Sequence, residues 1–319
     1  MSVSRLPSSV NRCHPGPLAV LTQQLTKRYG GVTAIDRLDL SIPNGQFFGL
    51  LGRNGSGKTT TLHLLSTLMR PTSGAARVAG FDVLTHPVEV RRAIGLVFQE
   101  SALDRNLTVS ENLRFAGALY NLPAREVAKR LDELLQLFDL ETKRHTPVAA
   151  LSGGMRRAVD IARGVLHLPK VLLLDEPTTG LDVINRRAVW RFLQNLRKEW
   201  GLTLVLSTHY LEEAEDCDDV VFMRAGRVVG AGKPAELVTQ MGAYILEIRA
   251  DDHQRPVEHL RPLLGEAIIE GNTVSFRVHD EEFPINELQQ ELRAHVRSLQ
   301  LRRPDLNDVY IWLNHQANE

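Results

Sequence analysis

The chain has 319 residues, enough for one large domain and a small one, and its 38 basic residues are balanced by 38 acidic ones. A balanced charge gives no general attraction to nucleic acid or anionic lipid, and a hydrophobic fraction of 43% is ordinary for a globular protein. No run of about eighteen apolar residues occurs, so we expect no membrane-spanning helix. Cys13 and Cys217 lack metal-ligand spacing and are expected to be inert thiols rather than a disulfide.

The first 17 residues are rich in serine, proline and arginine and have no apolar core. They do not fit a signal peptide, and we interpret residues 1–17 as a mobile tail. Alternating apolar residues then predict strands at Leu18–Thr26 and Val32–Ile42, and a turn follows at 43–45.

Four short apolar runs predict buried parallel strands of an α/β sheet, because helical patterns separate them along the chain. They are Gln46–Leu51, Ile94–Phe98, Val171–Leu174 and Leu202–Leu206. Helix is predicted over Thr60–Met69 and, mostly, over Leu107–Leu140, where apolar residues recur at helical spacing. Residues 220–230 predict a hairpin that turns at Ala225-Gly226.

The composition changes after Gly232, and the C-terminal part has its own order of predicted elements. From Tyr244 the order is strand, helix, strand, strand, helix, strand and a last helix. The predicted ranges are Tyr244–Arg249, Val257–Leu264, Glu266–Glu270, Asn272–Val278, Ile285–His295, Val296–Leu301 and Asp305–His315. The βαββαβ order is the ferredoxin-like arrangement, here with one extra helix. We therefore expect a small α+β accessory domain at 241–319.

Residues 52–59 fit the phosphate-loop pattern G-x-x-x-x-G-K-[ST] completely and lie between a predicted strand and a predicted helix. Glycines let backbone N–H groups surround an anion, and the helix N-terminus adds partial positive charge. Lys58 can reach the β- and γ-phosphates of a nucleotide, and the Thr59 hydroxyl can hold Mg²⁺. The candidate nucleotide-binding residues here are Gly52, Arg53, Asn54, Gly55, Ser56, Gly57, Lys58, Thr59 and Thr60.

Two acids follow the apolar run Val171–Leu174. Asp175 is placed to hold Mg²⁺, directly or through water, and Glu176 to polarise an attacking water as general base. A phosphate-loop protein needs such a second site, which favours this interpretation over a strand that merely ends in two acids.

A second candidate anion site is Leu151-Ser152-Gly153-Gly154-Met155, at the start of a predicted helix that carries three arginines. It stands just upstream of the acid pair. With these motifs in this order, the chain resembles the ATP-binding subunit of an ABC transporter over roughly residues 18–238. The resemblance implies a P-loop NTPase α/β core at 18–240, with an N-terminal antiparallel β subdomain and a helical subdomain at about 100–165.

The resemblance also implies ATP and Mg²⁺ as ligands and a head-to-tail dimer that sandwiches two ATP molecules. Ser152, Gly153 and Gly154 would then close over the ATP held by a second copy or by a sister subunit. The Asp182 loop would contact the same partner.

Three further positions match family residues one by one. Tyr29 matches the aromatic residue that stacks on adenine, with an ordinary half-exposed strand tyrosine as the alternative. Gln99 matches the glutamine that senses Mg²⁺ and water and links to the membrane subunit. His209 matches the histidine that contacts the γ-phosphate. The implied catalytic residues are therefore Glu176, His209 and Gln99, and the implied metal ligands are Thr59, Gln99 and Asp175.

Met155 departs from the glutamine that usually ends the signature. The Leu-Ser-Gly-Gly-Met form resembles exporters of the drug-resistance, nodulation-factor and polysaccharide type, as does the C-terminal segment from Pro304. An exporter subunit would need separate transmembrane permease subunits, bound through 99–120, and would lie at the cytoplasmic face of the membrane. An importer ATPase remains an alternative. So does an ABC-type ATPase acting on ribosomes or DNA, although the chain has one cassette, no heptad run and no basic tract.

Overall fold

The computed structural model describes residues 16–252, 254–292 and 296–316. The predicted tail at 1–17 lies outside these ranges except for its last two residues, so the interpretation of Cys13 lies outside them too. The described residues form three sheets, joined by helices.

The first sheet is antiparallel and has the order β2-β1-β4-β5. Its strands are β1 (Leu18–Tyr29), β2 (Val32–Pro43), β4 (Ser73–Val78) and β5 (Phe81–Asp82). The expected antiparallel β subdomain is present, and β1 and β2 run slightly beyond their predicted ends. Strand β4 was not predicted, because its sequence Ser-Gly-Ala-Ala-Arg-Val lacks a clear alternation of large apolar residues.

The central sheet has the order β10-β9-β3-β8-β7-β6 and is parallel except for the edge strand β10. Its strands are β3 (Phe47–Leu51), β6 (Ile94–Val97), β7 (Val171–Asp175), β8 (Thr203–Thr208), β9 (Asp219–Arg224) and β10 (Arg227–Gly232). Phe47 and Leu51 belong to the core on one face of the sheet, whereas Phe48 and Leu50 belong to the core on the other. A strand buried on both faces has no polar side to alternate, which explains the continuous apolar runs.

The α-helices described in this part of the chain are α1 (Lys58–Leu65), α2 (Pro87–Ala93), α3 (Val109–Leu119), α4 (Ala124–Leu137), α5 (Gly153–Val165), α6 (Val183–Trp200) and α7 (Pro234–Thr239). Helix α1 begins earlier and ends earlier than the predicted Thr60–Met69. It stops because Thr67 adopts a left-handed backbone with φ of 64°. The helical region predicted at 107–140 is interrupted at 120–123, where Asn121 is left-handed and Pro123 precedes α4.

The C-terminal part contains β11 (Tyr244–Arg249), α8 (Gln254–Leu264), β12 (Ala267–Glu270), β13 (Thr273–Val278), α9 (Ile285–Leu292), β14 (Ser298–Arg302) and α10 (Leu306–Gln316). Its sheet is antiparallel in the order β12-β13-β11-β14, which confirms the ferredoxin-like arrangement. The last strand begins at Ser298 rather than at the predicted Val296. The end of the preceding helix, predicted at His295, lies outside the described residues.

Helix α10 joins this C-terminal part to the rest of the chain. Its residues Leu306, Val309, Trp312 and Leu313 belong to the same apolar core as the central sheet. Arg224 Nη1 of β9 donates to the carbonyl oxygen of Asn314 at 2.8 Å. The other helices of this part enclose a smaller core of their own.

Candidate active site

The phosphate-loop sequence connects β3 to α1, as predicted. Gly52 has φ of 149°, and a Cβ at this position would lie 2.4 Å from the carbonyl oxygen of Met223. Gly57 has φ of 110°, and its Cβ would lie 2.6 Å from Ile35 Cδ1. The loop therefore needs glycine at both ends, because a side chain would collide and the backbone would be strained.

The Lys58 ammonium group is buried inside this loop. It donates to the carbonyl oxygens of Gly52 at 2.7 Å and Arg53 at 3.2 Å. Burial lowers the pKa of Lys58, while the charges of Glu176 and Asp175 oppose that shift. The buried Ser56 hydroxyl has no hydrogen-bond partner within the described ranges. A loop that turns a cation and an unpaired hydroxyl to its interior fits a bound phosphate group.

Asp175 and Glu176 stand at the carboxyl end of β7, and both are buried. Asp175 Oδ1 accepts from Thr59 Oγ1 at 3.1 Å and from Ser207 Oγ at 2.5 Å. Two of the three predicted metal-ligating side chains, Thr59 and Asp175, therefore meet, as oxygen donors of the kind Mg²⁺ prefers. No cluster of three or more metal-ligating side chains occurs in the described part of the chain.

The Glu176 backbone is left-handed, with φ of 44°. Its amide donates to both the backbone oxygen and the hydroxyl of Ser207, each at 3.1 Å. Thr179 Oγ1 donates to Glu176 Oε2 at 3.1 Å. The neighbouring strand thus holds a strained residue in a defined position.

Two basic side chains approach the same oxygen of Glu176. His209 Nδ1 lies 3.2 Å from Glu176 Oε1, and Lys58 Nζ lies 3.7 Å from it. His209 follows β8, the neighbour of β7, so two parallel strand ends bring the acid and the histidine together. The structure thus gathers Lys58, Thr59, Asp175, Glu176 and His209 around one point.

Two further predicted site residues, Gln99 and Tyr29, are exposed. Gln99 follows β6 and is exposed. Tyr29 ends β1 and its side chain is 44% exposed. The Tyr29 hydroxyl approaches Met69 Sδ at 2.7 Å, and Lys27 Nζ lies 5.0 Å from the ring centroid.

The Ser-Gly-Gly signature lies apart from the phosphate loop. Ser152 caps α5 and accepts from the Met155 amide at 3.2 Å. A Cβ on Gly154 would lie 2.1 Å from Asn185 Oδ1, and Asn185 in turn donates to Asp182, which caps α6. The signature and the Asp182 loop therefore adjoin each other. No hydrogen bond or ion pair joins residues 152–154 to residues 52–59 within the described ranges.

Comparison with known proteins decides the family. The ABC transporter family model matches residues 35–179. The chain is 40% identical over 294 residues to a Nod factor export ATP-binding protein I from Ralstonia nicotianae, covering 91% of each chain. It is 38% identical to the daunorubicin/doxorubicin resistance ATP-binding protein DrrA from Streptomyces peucetius, covering 94% of each. The chain belongs to the ABC transporter family.

Solved structures agree with this assignment. CbiO1 from Clostridium perfringens, part of an ABC transporter complex, superposes with a TM-score of 0.66 at 28% identity, covering 77% of this chain and 96% of the other. A dimeric ATP-binding cassette in a post-hydrolysis state with ADP and phosphate gives 0.61 at 29% identity, covering 67% and 98%. This ABC ATPase is therefore a subunit that binds ATP and hydrolyses it to ADP and phosphate. Cassettes of this family dimerise and work with membrane components of the transporter.

One buried side chain of this ATPase was missed as a site residue. Arg157 of α5 donates through Nε to the carbonyl oxygen of Pro177 at 2.5 Å and through Nη1 to that of Phe98 at 2.6 Å. It thereby ties α5 to the residues beside Glu176 and Gln99. Arg157 lies four residues before the buried Ile161, on the apolar side of α5, and that position was the available signal.

Proposed function

We propose that this ABC ATPase powers an exporter. The observation that carries the proposal is its similarity to export and drug-resistance ATP-binding proteins over almost their whole length, including the C-terminal part. Sequence that matches through both parts indicates a shared arrangement, not merely a shared ATP-binding core. The substrate is then selected by the membrane subunits.

The geometry supports a role for each residue of the cluster in hydrolysis. Lys58 binds the β- and γ-phosphates, and Glu176 accepts a proton from the water that attacks the γ-phosphorus. His209, 3.2 Å from Glu176, contacts the γ-phosphate and orients the carboxylate. Thr59, Asp175 and Gln99 would hold Mg²⁺, which neutralises charge on the phosphate oxygens. Tyr29 offers its exposed ring to adenine.

The remaining nucleotide contacts come from a second copy of the chain in a head-to-tail dimer. In one protomer the signature has no bond to its own phosphate loop, so an anion at the α5 N-terminus belongs to the partner's site. Val183 and Ile184, next to Asp182, are 61% and 81% exposed. Exposed apolar side chains beside the predicted contact loop are typical of a surface that becomes covered.

A membrane subunit binds at the helical subdomain. In the segment 99–120 that the resemblance implies as the contact, Leu103 is buried and Leu107 is half-buried, whereas Phe115, Leu119 and Tyr120 are exposed. Phe115 and Leu119 are 60% and 67% exposed and lie one turn apart on α3. We call Phe115, Leu119 and Tyr120 the docking patch. No helix within the described ranges is long and apolar enough to span a membrane. In this proposal the docking patch attaches the ATPase to the membrane subunit at the cytoplasmic face.

Residues 18–240 form the ATPase domain and 241–319 the accessory domain in this proposal. Their junction includes a cleft of about 520 Å³ lined by phosphate-loop residues 53–56 and by Ile269, Glu270 and His315. An accessory domain beside the phosphate loop is well placed to influence ATP-driven dimerisation.

The proposed function is tested by co-expressing the chain with the membrane protein encoded beside it. We expect the ATPase to sediment with membranes when that partner is present and to stay in the supernatant without it. Transport of a compound out of cells, lost with Glu176→Gln, would establish the direction. Uptake would show an importer, and co-sedimentation with ribosomes instead would show the other class.

A further inference from the structure

The carboxylate of Glu213 is buried between the loops that carry the proposed catalytic residues. Glu213 lies in the short 3₁₀ helix Leu211–Ala214 after β8, and 5% of its surface is exposed. Thr178 Oγ1 donates to Oε1 of this carboxylate, and Thr208 Oγ1 donates to Oε2 at 2.8 Å. Both oxygens are therefore engaged, as a buried carboxylate requires.

The partners of Glu213 come from three separate segments. Thr178 lies two residues after Glu176, and Thr208 lies immediately before His209. Arg186 Nε of α6 lies 3.6 Å from Glu213 Oε1, on the helix that Asp182 caps. One carboxylate thus joins the segments of the proposed base, the proposed γ-phosphate ligand and the partner-facing loop.

Two further contacts make this connection rigid. The Tyr210 amide donates to Thr208 Oγ1 at 2.9 Å, so the hydroxyl both donates and accepts. The Arg186 guanidinium lies over the Tyr210 ring, 4.4 Å from its centroid. His209, between Thr208 and Tyr210, is therefore flanked by two residues that the network fixes.

We propose that Glu213 is a positioning residue for hydrolysis. It holds the side chains of Glu176 and His209 in a fixed position relative to each other and links both to the Asp182 loop. This inference rests on the proposed roles of Glu176 and His209. Glu213 itself does not contact the reacting atoms. Its effect is transmitted through the hydroxyls of Thr178 and Thr208.

The first test compares Glu213→Gln with Glu212→Gln, its exposed neighbour in the same short helix. The amide keeps the volume but replaces one acceptor by a donor, so only one of the two threonine hydroxyls can still donate to this side chain. We expect kcat to fall roughly tenfold to a hundredfold, because small misplacements of catalytic groups cost that much. KM for ATP should stay within about twofold, since the phosphate loop is untouched. Glu212→Gln should match the parent.

The second test acts on a partner of Glu213 and covers the case in which Glu213→Gln fails to fold. Thr178→Val removes the hydroxyl at nearly constant shape, and Thr178→Ser restores it. We expect Thr178→Val to lower kcat and also to lower the unfolding temperature, because it removes a donor from a buried carboxylate. Thr178→Ser should recover most of both losses. A role in stability alone would shift the unfolding temperature and leave the kcat of the folded protein unchanged.

Parent kcat in both Glu213→Gln and Thr178→Val would overturn the inference. If Glu176→Gln still abolishes turnover in the same assay, the proposed function stands and the positioning role alone fails. If Glu176→Gln also hydrolyses ATP at the parent rate, Glu176 is not the general base, and the result then overturns the proposed function of the site rather than the role of Glu213 alone.

Discussion

His209 Nδ1 lies 3.2 Å from Glu176 Oε1, although the two residues follow different strands. The contact exists because β7 and β8 are parallel neighbours, with Asp175 opposite Ser207 in their register. Residues that follow these strands must then meet at one edge of the sheet. Since Lys58 Nζ reaches the same oxygen at 3.7 Å, a single carboxylate connects three segments of the site.

Glu176→Gln should retain ATP binding and lose most turnover. The amide keeps the shape and leaves the phosphate loop intact, but it cannot accept the proton of the attacking water. We expect a loss of roughly 10²- to 10⁴-fold in kcat, the usual contribution of a general base. Phosphate release and gel filtration with ATP measure both effects, and the variant should accumulate as a closed dimer. Glu133→Gln, on the exposed face of α4, is the matched control. Parent-rate hydrolysis by Glu176→Gln would show that another group is the base.

Charge in the docking patch should release the membrane subunit without affecting the nucleotide site. Phe115→Glu and Leu119→Glu place a carboxylate on a surface that is covered in the complex, and burying an unpaired charge is costly. We expect each variant to bind ATP normally and to be lost from the membrane fraction of co-expressing cells. Leu263→Glu, equally exposed on α8, should stay with the membrane. Full retention of both patch variants would place the interface elsewhere.

The accessory domain should affect ATP-driven dimerisation through the cleft beside the phosphate loop. Ile269 lines this cleft and is 52% exposed. Ile269→Glu is expected to weaken the dimer formed with ATP in the Glu176→Gln background, as measured by sedimentation velocity, whereas Leu263→Glu is not. Truncation is a poorer test, because α10 supplies buried residues to the main core. Equal dimerisation of the two variants would argue against the role.

Stability should fall in mild acid through His167. Its ring is stacked on Tyr120 with centroids 3.7 Å apart, and burial lowers its pKa to about 4. The folded state disfavours the charged ring, so this contribution is complete above the unfolded pKa of about 6.5 and declines as the pH falls towards 4. At pH 5 the loss is about 2 kcal/mol if the shift is fully realised.

Urea unfolding at several pH values checks this, since His167→Gln should show a shallower acid slope than the parent. Equal slopes in the two proteins would show that His167 does not carry the effect. In the folded protein the His167 ring becomes charged only as the pH nears 4, so an effect on the docking patch through Tyr120 is expected only there.

Local patterns predicted much of the fold and the placement of the motifs. The phosphate loop and each buried strand are formed by contiguous residues, so local patterns reveal them. Because β7 and β8 are parallel neighbours, Asp175, Glu176 and His209 then lie at the same edge of the central sheet. Local spacing could only place Arg157 on the apolar side of α5, because its partners are distant backbone oxygens that any residue supplies. Glu213 was not found because Thr178, one of its partners, is 35 residues away in sequence. Strand β4 was missed because its side chains are small, and the end of α1 because it depends on a left-handed threonine.

The central claim is that each phosphate loop is half of a site that another copy completes. Lys58→Ala and Ser152→Arg chains are purified separately and then mixed, and ATP retained per dimer is measured. Lys58→Ala alone should bind ATP roughly tenfold to a hundredfold more weakly, through loss of charge-assisted hydrogen bonds. In a head-to-tail mixed dimer, both defects fall in one site and the other site is intact. We predict that the mixture retains about one ATP per mixed dimer, well above either variant alone. Retention no greater than the average of the two separate variants would contradict the account.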